Sequence, residues 1–215
     1  MLTEERHRRI MRRLQEAGTL KLQELCVMLE ASESTVRRDL ADLEEQGLLR
    51  RVHGGATLPM MPGGLEPGMA EKSAVHLPQK QQIAEVASGL VRSGEAIYLD
   101  AGTTTLAMIP YLRGKSITVV TNGLPQVEAL LEADIPVYLL GGLGKKRTKA
   151  LVGNLALEQL THFRFDRCFL GANGVHPEAG YTTPDPEEAA LKRRAHEQSS
   201  LTYVLADSSK IGNIA

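Results

Sequence analysis

Between residues 96 and 205 the chain carries five apolar runs of strand length, each closing on glycine or a polar residue. AIYLD at 96–100 leads into Gly102-Thr103-Thr104-Thr105, and 117–121 ends at Thr121-Asn122-Gly123. The run at 135–140 ends at Gly141-Gly142, 168–171 at Gly171-Ala172-Asn173-Gly174, and 201–205 at Ala206-Asp207. Helix-length stretches stand between them: one after Gly102 that contains Pro110, then 124–132, a segment near 154–161 and another near 185–198. Gln79–Arg92 precedes them as an amphipathic helix with Ile83, Ala87, Leu90 and Val91 inward, closed by Ser93-Gly94. Strands that alternate with helices require a parallel α/β sheet. The polar residues then gather at the carboxyl ends of the strands, where such sheets bind ligands.

Asp100-Ala101-Gly102-Thr103-Thr104-Thr105 is the sharpest of these strand ends. Glycine lets a ligand approach the backbone, the start of a helix offers N–H groups without acceptors, and threonine hydroxyls add donors; together they suit a phosphate. A Gly-Thr helix cap can also be purely structural. Repetition of polar strand ends at 121–123, 141–142, 171–174 and 207–210 favours the ligand reading.

Residues 1–57 follow a different pattern. Thr3 is positioned to cap a first helix with Glu4 and Glu5 in its opening turn, Ile10, Leu14 and Ala17 on its inner face, and Gly18 as its stop. A second helix runs from about Lys21 to Leu29, with Leu22, Leu25, Cys26 and Leu29 inward, and a short Glu30-Ala31 link leads to a cap at Ser32. In the third helix Val36, Leu40 and Leu43 form the apolar face, so Ser34, Thr35, Arg37 and Arg38 look outward; Gly47 is positioned to end it. Leu48–Val52 reads as a strand turning at His53-Gly54-Gly55, with Arg50 and Arg51 on its exposed side. Two short helices joined so tightly form a helix-turn-helix, whose second helix enters the DNA major groove, here followed by a wing. Ser34, Thr35 and Arg38 are candidates for base edges, and Arg37, Arg50 and Arg51, with His53 at the turn, for the backbone of double-stranded DNA. Lys and Arg in residues 1–56 are matched by an equal number of Asp and Glu, so DNA affinity has to come from segregation of charge.

PMMPGGLEPG at 59–68 is too rich in helix and strand breakers for a regular element, so 58–78 is expected to be a linker between head and body. Cys26 and Cys168 read as packing residues, and the six histidines lack ligand spacing, so no metal or cofactor is expected. No apolar run reaches membrane-spanning length and the N-terminus is charged, which predicts a cytoplasmic protein.

VRRDL at 36–40, the Leu43-x-x-x-Gly47 exit and RRVHGGA at 50–56 resemble the DNA-binding domain of DeoR-family bacterial transcriptional repressors. Residues 80–215 resemble the sensor domain of the same family, through DAGTTT, TNG, LLGG, Thr148 with LVG at 151–153, FLGANGV at 169–175, Gly180-Tyr181-Thr182-Thr183 and ADSSK at 206–210. The resemblance implies a winged helix-turn-helix domain (1–57) joined to a mostly parallel α/β domain (79–215) with a fold similar to ribose-5-phosphate isomerase. It implies a sugar-phosphate effector, with Gly102, Thr103 and Thr104 on the phosphate and Asp100, Asn122, Gly142, Asn173, Glu188, Lys192 and Lys210 around the sugar. Glu188 and Lys192, four apart on a helix, could equally form a surface pair. Two heads on repeated half-sites imply a homo-oligomer, at least a dimer. The family pattern continues past Ala215, so a last sheet strand is expected to be missing. A phosphosugar isomerase would use a similar cleft, with Asp100, Glu188, Asp207 and Lys210 as candidates, but has no need of a DNA-binding head. An adaptor that uses the body only to oligomerise is a third reading.

Overall fold

The computed structural model describes residues 3–46, 48–52, 54–57 and 68–215, excluding the side chains of Gln15 and Glu16, and divides the chain into two compact units, Met1–Leu65 and Glu66–Ala215.

In the first unit, α1 (Thr3–Ala17) buries Ile10 and Leu14, and Thr3 is its first residue rather than its cap. Gly18, at φ +74°, ends it by donating its N–H to the Leu14 carbonyl at 2.8 Å. A strand not anticipated from the sequence follows, β1 (Thr19–Lys21); three residues are too few for an alternation to register. Then come α2 (Leu22–Leu29), α3 (Glu33–Glu45), β2 (Arg50–Val52) and β3 (Gly55–Thr57). β3 pairs antiparallel with both β1 and β2, so the wing belongs to a three-stranded sheet instead of a two-stranded hairpin. Gly55 permits the β1–β3 approach, since a Cβ there would lie 2.0 Å from the Leu20 carbonyl oxygen. The strand expected from Leu48 begins at Arg50 because the Leu48 N–H bonds back to Leu43 O at 2.9 Å and closes the helix end. Gly47 and His53 lie outside the described residues. Ile10, Leu14, Leu20, Leu22, Leu25, Leu29, Val36, Leu40, Leu43 and Leu49 make one core.

The second unit opens with α4 (Met69–Ala74), in a stretch expected to be linker, where the Gly68 N–H meets the Glu71 carboxylate at 2.8 Å. Helix α5 (Leu77–Gly89) starts and ends earlier than the sequence pattern suggests, with Pro78 in its first turn; Leu90, expected inward, is 38 % exposed. After β4 (Ala96–Leu99), the single helix expected across Pro110 is two, α6 (Thr103–Leu106) and α7 (Ile109–Leu112). Proline has no N–H for the Leu106 carbonyl, and Met108 and Tyr111 instead donate three residues back, to Thr105 O and Met108 O. The chain continues through β5 (Thr118–Thr121), α8 (Leu124–Glu132), β6 (Val137–Leu139), the short pair β7 (Leu143–Gly144) and β8 (Leu151–Val152), and α9 (Asn154–Leu160). It ends with β9 (Phe165–Gly171), the hairpin β10 (Gly174–His176) and β11 (Gly180–Thr182), α10 (Pro186–Glu197), β12 (Ser199–Leu205) and a 3-10 turn, Ser208–Lys210.

The main sheet has the order β12-β9-β4-β5-β6, with every pair parallel. Alternate residues of each strand enter different cores, as the pleat requires. Ile97, Leu99, Val119 and Phe169 pack with Ala84, Ala87, Met108 and Leu130 on one face; Tyr98, Val120, Cys168 and Leu170 pack with Ala156, Leu160, Leu191 and Ala195 on the other. Helices thus cover both faces, and the strand ends remain as the place where polar groups can converge. The two pairs β7–β8 and β10–β11 extend from those ends.

Candidate DNA interface and ligand site

Ser32 caps α3: its Oγ accepts from the Thr35 N–H at 3.3 Å and lies 2.9 Å from both the Ser34 and Thr35 hydroxyls. These hydroxyls form a small polar cluster at the helix start, with Ser34, Arg37 and Arg38 exposed. Arg37 makes an i, i+4 pair with Glu33 at 3.4 Å. Arg51 is tied to the end of α3: its backbone N–H donates to Glu44 Oε1 at 2.7 Å and its Nε to Oε2 at 2.6 Å. The Arg51 backbone N–H and then its side chain hold the Glu44 carboxyl below its usual range.

Asp39 is the residue of this unit whose place differs most from the sequence pattern. It stands among the acids that follow the first helical turn, yet it is 1 % exposed and accepts from Arg6 Nε and Nη2 at 2.6 and 2.8 Å, with His7 Nε2 at 3.4 Å. A signal is present, because 39 is i+3 from Val36 and four before Leu43, on the apolar stripe. The pair fixes α1 against α3. His7, Asp39 and Asp42 also lie close enough to share a cation, but both Asp39 oxygens already accept from the Arg6 guanidinium.

At the strand ends of the second unit, Asp100 is 4 % exposed, and its Oδ2 accepts from the Gly171 N–H at 3.0 Å and contacts Lys192 Nζ. Lys192 therefore pairs across elements with Asp100, and Glu188, four residues before it on the same helix, is buried. The turn after Asp100 is fixed from beneath. Thr105 Oγ1 donates to Asp100 O at 2.6 Å, and Gln126 Nε2, from α8, reaches Asp100 O at 3.1 Å and Gly102 O at 2.9 Å. Gln126 is fully buried, and nothing in its sequence neighbourhood singles it out. With the carbonyls drawn inward, the amides of Thr103 and Thr104 open a helix, where backbone N–H groups have no intrahelical acceptor.

Asn122 and Gly142 take backbone-building positions, and Asn122 bonds this turn itself. Asn122 Oδ1 accepts from Tyr98 Oη at 2.9 Å and Ala101 N at 3.1 Å, and its Nδ2 donates to Leu151 O at 3.1 Å, so its amide links β4, β5 and β8. Gly142, at φ +139°, follows the edge strand β6, where a Cβ would fall 2.3 Å from the Val152 carbonyl oxygen. Asn173 is part-buried after β9, and its Oδ1 accepts from Thr183 Oγ1 at 3.3 Å.

Lys210 follows Asp207 after the end of β12, and the charges of both act on Lys80 in the first turns of α5, a residue with no local sequence signal. Lys80 is 6 % exposed and its Nζ contacts Lys72 O. Burial pushes its ammonium below the usual lysine range, Asp207 partly offsets this, and Lys210 and Lys72 add to it. Burial opposes the Asp207 charge as well, but the Ser209 hydrogen bond and Lys210 hold its carboxyl below the usual range. Cys168, beneath Asp100 and Lys192, is pushed up to about 12 by burial, as a packing thiol would be. β12, β9 and β4 are neighbours, so the Asp207–Lys210 and Asp100–Gly102 ends lie two strand spacings apart, about 10 Å. That is a distance a small phosphorylated molecule can bridge. Among the described residues, no helix is long and apolar enough to cross a membrane.

Comparison with known proteins agrees with both halves. Residues 6–60 match the DeoR-like helix-turn-helix domain and residues 75–215 the DeoR C terminal sensor domain. The uncharacterized HTH-type transcriptional regulator FruR of Bacillus subtilis is 52 % identical over 216 residues, spanning 100 % of this chain and 86 % of that protein. A putative aga operon transcriptional repressor of Escherichia coli O157:H7 is 34 % identical, spanning 97 % and 78 %. A lactose phosphotransferase system repressor of Staphylococcus epidermidis is 36 % identical, spanning 91 % and 78 %. Among solved structures, ribose 5-phosphate isomerase A of Methanocaldococcus jannaschii superposes with a TM-score of 0.47 at 18 % identity, over 63 % of this chain and 54 % of that one. With a helix-turn-helix match at one end, a sensor-domain match over most of the remainder and regulators related along nearly its whole length, the chain belongs to the DeoR family of transcriptional regulators.

Proposed function

We propose that this protein represses carbohydrate-catabolism genes by binding operator DNA through its first unit, and that a phosphorylated sugar bound in the second unit controls that binding. The observation that supports the reading is the Asp100–Lys192 pair beside the Gly102–Thr104 turn at the carboxyl ends of β4 and β9, with Asp207 and Lys210 following the neighbouring strand β12. Cations and backbone amides suit a phosphate, whereas carboxylates suit sugar hydroxyls. One relative is named for a sugar system, the lactose phosphotransferase system, which supports the substrate class. Asn122 and Gly142 support the site from behind; Asp100, Gly102, Thr103, Thr104, Asn173, Glu188, Lys192, Lys210 and Lys80 are the effector residues. In the head, Ser34, Thr35 and Arg38 read base edges, while Arg37, Arg50, Arg51 and His53 serve the phosphate backbone. Glu44 engages Arg51 through Nε, which leaves the two outer nitrogens for DNA. The protein works in the cytoplasm as a homo-oligomer with two heads on repeated half-sites, and the site performs no turnover.

The test is a thermal-shift screen against inorganic phosphate, glycerol 3-phosphate and pentose and hexose monophosphates, with Thr103→Val in parallel. A sugar phosphate that stabilises the wild type and not Thr103→Val supports the reading. Stabilisation of both alike would move the site elsewhere, and isomerisation of any panel member by the pure protein would make it an enzyme.

A further inference from the structure

The basic stretch at 145–149 forms the tip of the β7–β8 pair, and it makes two kinds of connection. Toward the candidate ligand site, Lys145 Nζ contacts Asp185 Oδ2. Asp185 is the cap of α10, its other oxygen accepting from the Glu187 and Glu188 N–H groups at 2.9 and 3.0 Å. That helix carries Glu188 and the Lys192 that meets Asp100. The end of the tip is joined to the β5 strand end: Leu124 N donates to Lys149 O at 3.0 Å, and Leu151 N to Asn122 O at 2.7 Å. In the other direction, Arg147 O accepts from the Met69 N–H at 2.8 Å, and its guanidinium lies 3.9 Å from Glu71. Met69 opens α4, the first element after the segment that connects the two units.

We infer that this tip is the relay by which occupancy of the sensor site reaches the tether of the DNA-binding unit. The inference rests on the sensor reading above and concerns the regulation of that same site. Two features mark the tip as a strained segment. Lys149 is held at φ +56°, a backbone state that disfavours a side chain, and the Thr148 hydroxyl is buried with no hydrogen-bond partner among the described residues. A ligand that draws on Glu188 and Lys192 acts on the first turns of α10, hence on Asp185 and Lys145. Lys145 N donates to Ala150 O at 2.8 Å and Lys145 O accepts from Lys149 N at 2.9 Å, so the base of the tip is fixed to the sheet, and a change in the pull on the Lys145 side chain is taken up between them, at Arg147, whose carbonyl holds the Met69 N–H.

Met69→Pro tests this directly. Met69 is the first residue of α4, where proline is tolerated, and Gly68 before it is extended (φ −66°, ψ 164°), as a residue preceding proline prefers to be. The substitution removes the Met69 N–H that Arg147 O accepts and leaves the helix compatible. Lys145→Gln breaks the other end, and Lys146→Gln, on an exposed residue, is the control. Operator affinity would be measured on a fragment selected by the wild type from random DNA, with and without the panel member that stabilises the wild type most. The wild-type ratio is expected to be roughly 5–150-fold, and Met69→Pro and Lys145→Gln should bring it to within about twofold of unity while keeping the ligand-induced thermal shift. Lys146→Gln should keep both. A wild-type ratio in both variants, or a wild-type protein that binds the ligand with no change in operator affinity, overturns the relay. Loss of the thermal shift in both variants would make the tip part of the ligand site instead and also overturns it. If no panel member stabilises the wild type, the sensor reading itself has failed, and the relay with it.

Discussion

Lys80 is buried within the field of Asp207 and Lys210, and its lowered proton affinity fixes the sign of two pH effects. Between its depressed folded value and the ordinary lysine value of 10.5, the unfolded chain binds more protons, so Lys80 makes stability rise with pH through that window. Asp207 works in the acid range: its stabilisation is present above its ordinary value of 3.8 and is lost as pH falls through its lower folded value. An anionic ligand against Lys80 favours the protonated amine, so binding in the window below 10.5 should take up protons and weaken as pH rises through the folded value. Calorimetry in two buffers of different ionisation enthalpy measures that uptake, and Lys80→Met should abolish it; equal uptake by both proteins removes Lys80 from the site. The head offers a parallel contrast. Arg38→Ala should cost about 1–3 kcal/mol on the preferred operator and relax its specificity, as removal of a base-reading side chain does. Arg51→Ala should weaken all sequences alike and lower the salt slope by about 0.9 for each DNA phosphate that Arg51 neutralises. Equal losses on operator and random DNA for both variants would refute the division of roles.

The 100–105 turn shows how one buried amide can decide the shape of an element. Gln126→Leu removes the donor that holds Asp100 O and Gly102 O, and should lower the unfolding free energy by about 1–3 kcal/mol in denaturant titration while loosening the turn. Gln126→Glu places an acceptor against the same carbonyls, so it should be worse at neutral pH and recover on acidification, when the protonated acid can donate. If both variants unfold like the wild type, the turn is held by Thr105 alone. Elements of this second unit are legible where apolar periodicity runs over a whole strand or helix: α8, α9, α10 and β4 fall close to where the residues place them. What escapes is short or set by distant partners. β1 has three residues, β7 and β8 two each, and α4 begins immediately after the Pro- and Gly-rich stretch that masks it. The site divides in the same way. Asp100 and the Gly102–Thr104 turn stand out as a local motif, whereas Gln126 and Lys80 are ordinary helix residues in the sequence and reach the site only through the crossovers of the sheet. Asn122 stands out in the sequence because it follows a strand, whereas its bonds to Tyr98 Oη, Ala101 N and Leu151 O join positions that no local motif connects.

Across the whole molecule, regulation requires a free-energy coupling between two units that each form a separate core. Such coupling is reciprocal: if the sugar phosphate changes operator affinity by some factor, operator DNA must change sugar-phosphate affinity by the same factor, typically corresponding to about 1–3 kcal/mol. The ligand must therefore discriminate between the DNA-competent arrangement and the other one, since equal affinity for both shifts nothing. A repressor released by its effector should bind that effector more weakly when saturated with operator, by about 5–150-fold, whereas a corepressed one should bind it more tightly. Titration of the ligand into free protein and into the protein–operator complex at one salt concentration gives the sign, and the reverse titration gives the factor independently. The second comparison must be made on an operator with two half-sites, because a dimer that presents two heads loses the benefit of simultaneous engagement on one. On a single half-site the affinity should fall steeply. If the coupling factor also falls there, part of the control lies in how the two heads are spaced; if it persists, each chain transmits the signal by itself, as a relay contained within the second unit requires.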